Sequence, residues 1–178
     1  MKRFTAFLLV AGLLLSGVFI LAPTAGAEES RMTEAHIDRI KANCVVAQTQ
    51  LSRIHTNDAL LRVNRGQLYE RLLTKLMSPF NSRVALNNLN GSSLVATTAA
   101  YEQQLMEFRA NYQQYEEAMS ATLRINCINQ PVAFYDSVAD VRMKRGRVHN
   151  STLQLQQSIH SYSTEFTSFA ASFNGGKR

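Results

Sequence analysis

Apolar residues recur at alternating steps of four and three along three stretches of the chain. The longest runs from Phe134 to Phe173 through Val138, Val141, Arg145, Val148, Thr152, Leu155, Ile159, Tyr162, Phe166 and Phe169, with only Arg145 and Thr152 polar. Such spacing lays one apolar stripe along a long helix, and a stripe of that length needs partner helices of similar length. A second seam links Ile37, Ile40, Cys44, Ala47, Leu51, Ile54, Asp58, Leu61, Arg65, Leu68 and Leu72, again with two charged interruptions. The third carries Tyr101, Leu105, Phe108, Tyr112, Tyr115, Met119 and Leu123. Together they predict helices over about 33–77, 93–127 and 131–173.

Punctuation agrees with these limits. Thr33 followed by the acidic Glu34 suits a helix start. Ser78-Pro79 predicts a stop, because proline disfavours the helical conformation of the residue before it. Residues 81–93, rich in Asn and Ser and containing Gly91, read as a turn region with a short helical turn at Val84, Leu86 and Leu89. Pro131 fits a first helical turn, and Asn174-Gly175-Gly176 a terminus. The expected fold is all-α: an elongated up-down-up three-helix bundle, or antiparallel coiled coil, roughly 60–65 Å long at 1.5 Å per residue.

The first 27 residues stand outside that fold. Lys2 and Arg3 precede an apolar run from Phe4 to Ala22, Pro23 breaks it, and Ala25-Gly26-Ala27 matches a cleavage site. These are the parts of a secretory signal peptide, so residues 28–178 are expected to form one helical domain. The run is also long enough to span a bilayer, which makes an uncleaved N-terminal anchor the alternative and the one route to membrane association. The whole chain carries +6; without Lys2 and Arg3 it has 17 basic against 13 acidic residues, about +4. A mild positive excess suits anionic envelope polymers or lipids, and an exported protein meets little nucleic acid, so no nucleic-acid partner is expected.

Cys44 and Cys127 are the only cysteines, and in an exported chain such a pair is expected to be a disulfide. If the first two helices form an antiparallel hairpin, the two meet when the turn is centred near residues 85 and 86, inside the Asn/Ser/Gly region. A short 128–130 link then sets helix three parallel to helix one, with residue n opposite about n+87. Ala47 meets Phe134, Leu51 meets Val138, Ile54 meets Val141, Leu61 meets Val148, Leu68 meets Leu155 and Leu72 meets Ile159. Asp58 falls level with Arg145, which predicts a structural ion pair that fixes register, and Arg65 falls level with Thr152.

Candidate chemistry is sparse. The basic run Arg142, Lys144, Arg145, Arg147 suggests an anion contact through Arg142, Lys144 and Arg147. Glu116, Glu117 and Asp140 lie at its level, so ion pairs and a solvated face are the expected account of most of it. Four histidines, at 36, 55, 149 and 160, form no i, i+4 metal pair, and neither a nucleophile motif nor a phosphate-cradling glycine loop occurs. No metal, cofactor or catalytic residue is expected. The aromatic series Tyr162, Phe166, Phe169, Phe173 is expected to cover Phe80, Leu86, Leu89 and Leu94 at the turn. The sharper reading leaves part of it exposed as a partner contact.

Cys44 to Gln48, Phe108-x3-Tyr112-x2-Tyr115, Cys127-x3-Pro131-x2-Phe134 and the basic 141–145 segment give the chain a resemblance. It resembles secreted, two-cysteine helical proteins of candidate-phylum bacteria that have no assigned activity. The resemblance implies export and the cysteine pairing, and carries over no catalytic residue. The expected function is an exported cell-envelope structural or protein-interaction module, an adaptor or spacer without catalysis, whose partner is an envelope protein or polymer. The alternative is a basic holdase chaperone for unfolded exported proteins.

Overall fold

The computed structural model describes residues 32–175, with side chains described as far as Ser172. The expected signal peptide at 1–27, the 28–31 lead-in and the Phe173 side chain lie outside the described residues. Every element there is helical: α1 (Glu34–Ala42), α2 (Cys44–Arg71), a π-helical segment (Leu72–Met77), α3 (Ser78–Leu86), α4 (Ser92–Leu123) and α5 (Pro131–Gly175). Thr33 is the N-cap of α1, its hydroxyl accepting the His36 N–H at 3.4 Å. Asn43, at φ −101°, separates α1 from α2 with little disturbance, since Ala47 N–H still bonds to its carbonyl.

Ser78-Pro79 does not stop the first helix. Ser78 keeps helical angles (φ −63°, ψ −46°), its N–H reaches the Leu73 carbonyl five residues back, and the helix continues to Leu86. Proline lacks the N–H for the ladder, and its ring presses on the carbonyl of the preceding turn. A π turn widens the helix there and accommodates the ring. Beside this segment, Tyr101 Oη donates to the Tyr69 carbonyl at 3.0 Å inside the core.

α3 ends in a motif that the Asn-rich composition serves directly. Asn88 adopts the left-handed region at φ 55°; Leu89 N–H bonds to the Val84 carbonyl and Asn88 N–H to that of Ala85, the pairing of a Schellman cap. Gly91 then lets α4 start close against α3: a Cβ there would stand 2.6 Å from Val84 Cγ1. At the other end α4 stops at Leu123, four residues before the expected Cys127. Asn126 Oδ1 accepts the N–H groups of Ile128 and Asn129 to turn the chain into Pro131.

Burial follows two different periods. On α4 the buried residues are Leu94, Thr98, Tyr101, Leu105, Phe108, Tyr112, Tyr115, Met119 and Thr122, strictly alternating steps of four and three. α5 keeps the same repeat through Phe134, Val141, Leu155 and their half-buried neighbours. That is about 3.5 residues per turn, the repeat of helices wound around each other. On α2 and the π-helical segment the covered positions instead run Cys44, Ala47, Gln48, Leu51, Ile54, His55, Asp58 and Ala59, then, after the exposed 60–65, Gly66, Tyr69, Glu70, Leu72, Leu73 and Met77, a face that drifts toward a period close to 3.6. A helix that is not supercoiled drifts about 20° per heptad against a 3.5 repeat. Between Cys44 and Tyr69 the inward face has therefore turned by about 70°, most of the roughly 100° that separates neighbouring residues. Leu61 and Leu68, expected opposite Val148 and Leu155, are 55% and 50% exposed. Tyr69 and Leu73 take their place in a cluster with Met77, Tyr101, Leu105, Phe108 and Leu155.

Three polar contacts cross the α4–α5 seam: Asn111 Nδ2 to Ser151 Oγ at 2.7 Å, Ser158 Oγ to Gln104 Oε1 at 2.5 Å, and Thr122 Oγ1 with Ser137 Oγ at 2.7 Å. Their small hydroxyls let the helices approach closely while every crossing polar atom keeps a partner.

Two substitutions probe these features. Tyr101→Phe leaves the buried Tyr69 carbonyl without its extra donor and is expected to lower stability by about 1–2 kcal/mol, read from the urea midpoint at pH 7. Gly91→Ala is expected to lose about 1–3 kcal/mol by overpacking against Val84. Adding Val84→Ala should return less than its own deletion costs alone, because it makes room for the new methyl.

Candidate functional site

Where α2 runs out of step with the other two helices it exposes Leu60, Leu61, Val63 and Leu68, and a cleft of about 610 Å³ opens between α2, α4 and α5. Its floor is apolar: Phe108, Tyr112 and Tyr115 from α4, Leu61 from α2, Val148 and Leu153 from α5. Arg62 and Arg65 stand on the α2 wall; Arg142, Arg145, His149 and Thr152 stand on the α5 wall, spaced as one helix face. At the upper end Tyr69 meets Phe108 edge to face, with ring centroids 5.6 Å apart.

A belt of polar contacts closes the lower end. Asp58 receives Arg145 Nε at 2.6 Å on Oδ2, Arg145 Nη2 at 3.0 Å on Oδ1, and Tyr115 Oη at 2.7 Å. One turn away His55 Nε2 lies 2.5 Å from Glu116 Oε1, while Tyr112 Oη donates to Glu116 Oε2 at 3.2 Å. Burial pushes the Asp58 carboxyl up, but the hydrogen bonds from Arg145 and Tyr115 and the Arg145 charge outweigh it and hold it below the usual carboxylate range. The hydrogen bond to Asp58 raises Arg145 in turn. Burial, joined by the Glu116 charge, pushes the Tyr112 hydroxyl up to about 12. Burial raises Tyr115 as well, reinforced by its bond to Asp58.

The structure thus brings Asp58 and Arg145 together, though not as a wholly buried pair: the aspartate side chain is 13% exposed and the arginine 54%. Cys44 and Cys127 are joined, with Cα atoms 5.6 Å apart, in a cluster with Phe134. Of the basic run, Lys144 pairs within its own helix with Asp140, and Arg147 reaches only Met143 Sδ at 4.0 Å. The ion pairs expected from helix two do not form, because Glu116 turns to His55 and Glu117 to Gln113. Arg142 alone of the three anion candidates faces the cleft.

At the turn end Tyr162 Oη donates to Asn81 Oδ1 at 3.1 Å, and Asn81 Nδ2 donates to Thr98 Oγ1 at 2.8 Å. Phe166 and Phe169 meet Phe80 edge to face at 5.0 and 5.7 Å. Leu94 is fully buried, but Leu86 is 82% exposed and Leu89, at the Schellman turn where α3 ends, is 37% exposed, so the expected cover does not extend over them. Phe166 itself remains 43% exposed.

Arg62 is the cleft residue that the seams do not reveal. Its guanidinium carbon sits 4.8 Å above the centre of the Tyr112 ring, a cation–π contact. Arg65 carried a signal, being a charge on the apolar seam level with Thr152, and both line the cleft. The buried Tyr69 hydroxyl, which has no hydrogen-bond partner, had none. Among the described residues no cluster of three or more His, Cys, Asp or Glu is placed to hold a metal ion.

Because the Asp58 carboxyl is lowered in the folded chain, its contribution is present above its unfolded value and lost as pH falls through the folded one. Asp58→Asn is expected to cost about 1–3 kcal/mol at pH 7. The gap between wild type and variant should hold from pH 7 to 5 and start to narrow below about pH 4. Urea midpoints at pH 7, 5 and 3 check this, and a gap undiminished at pH 3 would refute it.

No protein-family model, curated protein or solved structure matches the chain.

Proposed function

We propose that the chain is an exported, elongated up-down-up three-helix bundle that serves in the cell envelope as a non-catalytic interaction module. The observation that carries this reading is the Cys44–Cys127 disulfide, which ties α2 to the α4–α5 link and belongs to an oxidising compartment. The basic, apolar and A-x-A parts of the N-terminus point the same way. Among the described residues no helix is long and apolar enough to cross a membrane. The order of contacts supports the topology. Ala47 shares a cluster with Phe134, Asp58 meets Arg145 and Leu73 packs with Leu155, so α2 and α5 rise together. Gln104–Ser158 and Asn111–Ser151 run in opposite senses, so α4 returns between them.

The side chains of the cleft favour binding over catalysis. The arginines and a tyrosine hydroxyl raised to about 12 hold their protons through the neutral range, and His149, the cleft residue of general acid–base type, has no hydrogen-bonded partner among the described residues to orient it for that work. The holdase reading draws on a different observation, the exposed Leu60, Leu61, Val63 and Leu68 along α2.

Residues 28–178, oxidised, used as bait against envelope extract of the host separate the two. The adaptor reading expects one dominant partner whose capture falls at least fivefold with Phe166→Ala or with charge reversal at Arg65. Many unrelated unfolded clients, together with suppressed aggregation of a reduced client protein, would replace it with the holdase.

A further inference from the structure

Two clefts flank the middle of α2, and their charges differ in kind. The one bounded by Glu70, Arg71, Arg109, Glu116 and Glu117 is internally compensated: with Arg62, which lines both clefts, it sets three arginines against three glutamates, and Glu70 pairs with Arg109. The central cleft is not. Four arginines against one aspartate leave its lining at +3, and Arg145 and Tyr115 already occupy that aspartate. Among the described residues Arg62, Arg65 and Arg142 have no carboxylate within ion-pair distance. Like charges gathered over an apolar floor repel one another, and an anion between them relieves that repulsion. Guanidinium groups suit this task, since each presents a planar fork of donors to a carboxylate, phosphate or sulfonate.

The floor decides what the anion is attached to. Leu61 and Leu153, both about half exposed, and the half-buried Val148 line it with accessible apolar surface, and Arg62 is already held over the Tyr112 ring at 4.8 Å with its edge donors available. A bare inorganic anion would leave that surface wet, and a chain bearing many charges would have to bury some of them on it. We propose that the central cleft binds an anionic amphiphile. Its single oxyanion head is held by Arg62, Arg65 and Arg142, and its apolar body lies along Leu61, Val148 and Leu153. The volume of about 610 Å³ lies in the range of small-molecule sites. The inference names a ligand class for the interaction module proposed above and rests on that reading. Capture of an envelope partner without amphiphile binding would sink the inference alone, and the reverse result would sink the adaptor alone.

Decanoate below its micelle concentration, titrated into the oxidised protein by calorimetry, is the direct probe. One site per chain is expected, with decanol at least tenfold weaker and inorganic phosphate weaker still. Arg65→Ala and Arg142→Ala should each weaken decanoate about three- to tenfold, roughly 0.6–1.4 kcal/mol at RT ln of the ratio. Arg147→Ala, off the cleft, should leave it unchanged, and circular dichroism of each variant checks that the helices persist. Equal binding of decanol, indifference to both cleft arginines, or an equal loss in Arg147→Ala would overturn the assignment. So would a polyglutamate peptide that displaces decanoate at comparable concentration, which would mark the cleft as a seat for an acidic chain. Vesicles of anionic phospholipid separate the sources. Competition with decanoate supports a lipid head and its chains, and its absence supports a free acid.

Discussion

Two helices wound to a 3.5-residue repeat and a third that keeps 3.6 can share a core for only a few turns before their faces part. Most of the fold follows from that mismatch. α4 and α5 hold the 3.5 repeat along their length, and they carry most of the fully buried residues. α2 starts in step at Cys44, is still in step at Asp58, and the helix returns with Tyr69 and Leu73 one position later than a heptad would place them, and Met77 two later. Between those two anchorages its inward face looks along the partner helices rather than into them, and the cleft is the space that results.

Each anchorage has its own chemistry. Below the cleft, the disulfide closes a loop of 83 residues, which in the chain-entropy account restricts the unfolded chain by roughly 4–5 kcal/mol. The Asp58–Arg145–Tyr115 contacts then fix which residues face each other, a role better attested for buried polar groups than net stabilisation. Above it, the grip is apolar and aromatic, and the π turn lets α2 pass Pro79 without losing that grip. A covalent and polar end, an aromatic end and a loosely held middle make the middle the region where a ligand meets least resistance from packing.

The sequence was most readable where one periodicity held. All seven residues assigned to the face of the second long helix are buried or half-buried, and the interval between Asp58 and Arg145 came from aligning two seams on the cysteine pair. It was least readable where two nearly equal periods compete. Up to Asp58 the covered residues satisfy 3.5 and 3.6 alike, and only beyond it, at Leu61, Arg65 and Leu68, do the heptad positions come out exposed, so that stretch of α2 looked like core. Pro79 misled for another reason: the rule for the residue before proline is local, while a π turn and the cover over Phe80 are tertiary. For the cleft, charges on the seam were the visible sign. Arg65 and Arg145 stood among apolar positions, whereas Arg62 lies off the seam, and only the surface of α4 gives it a ring to rest on.

The hydroxyl contacts between α4 and α5 limit how this molecule can move. Gln104, Asn111 and Thr122 are seven and then eleven residues apart, while their partners Ser158, Ser151 and Ser137 are seven and then fourteen apart. A slide of α5 by one heptad would bring Ser151 to Gln104, but it would deliver Lys144 to Asn111 and strand Thr122. Unequal teeth of this kind mesh at a single setting. The pair therefore behaves as a rod of fixed length that transmits no piston motion between its ends, and any response to an occupant of the cleft has to come from α2 swinging sideways.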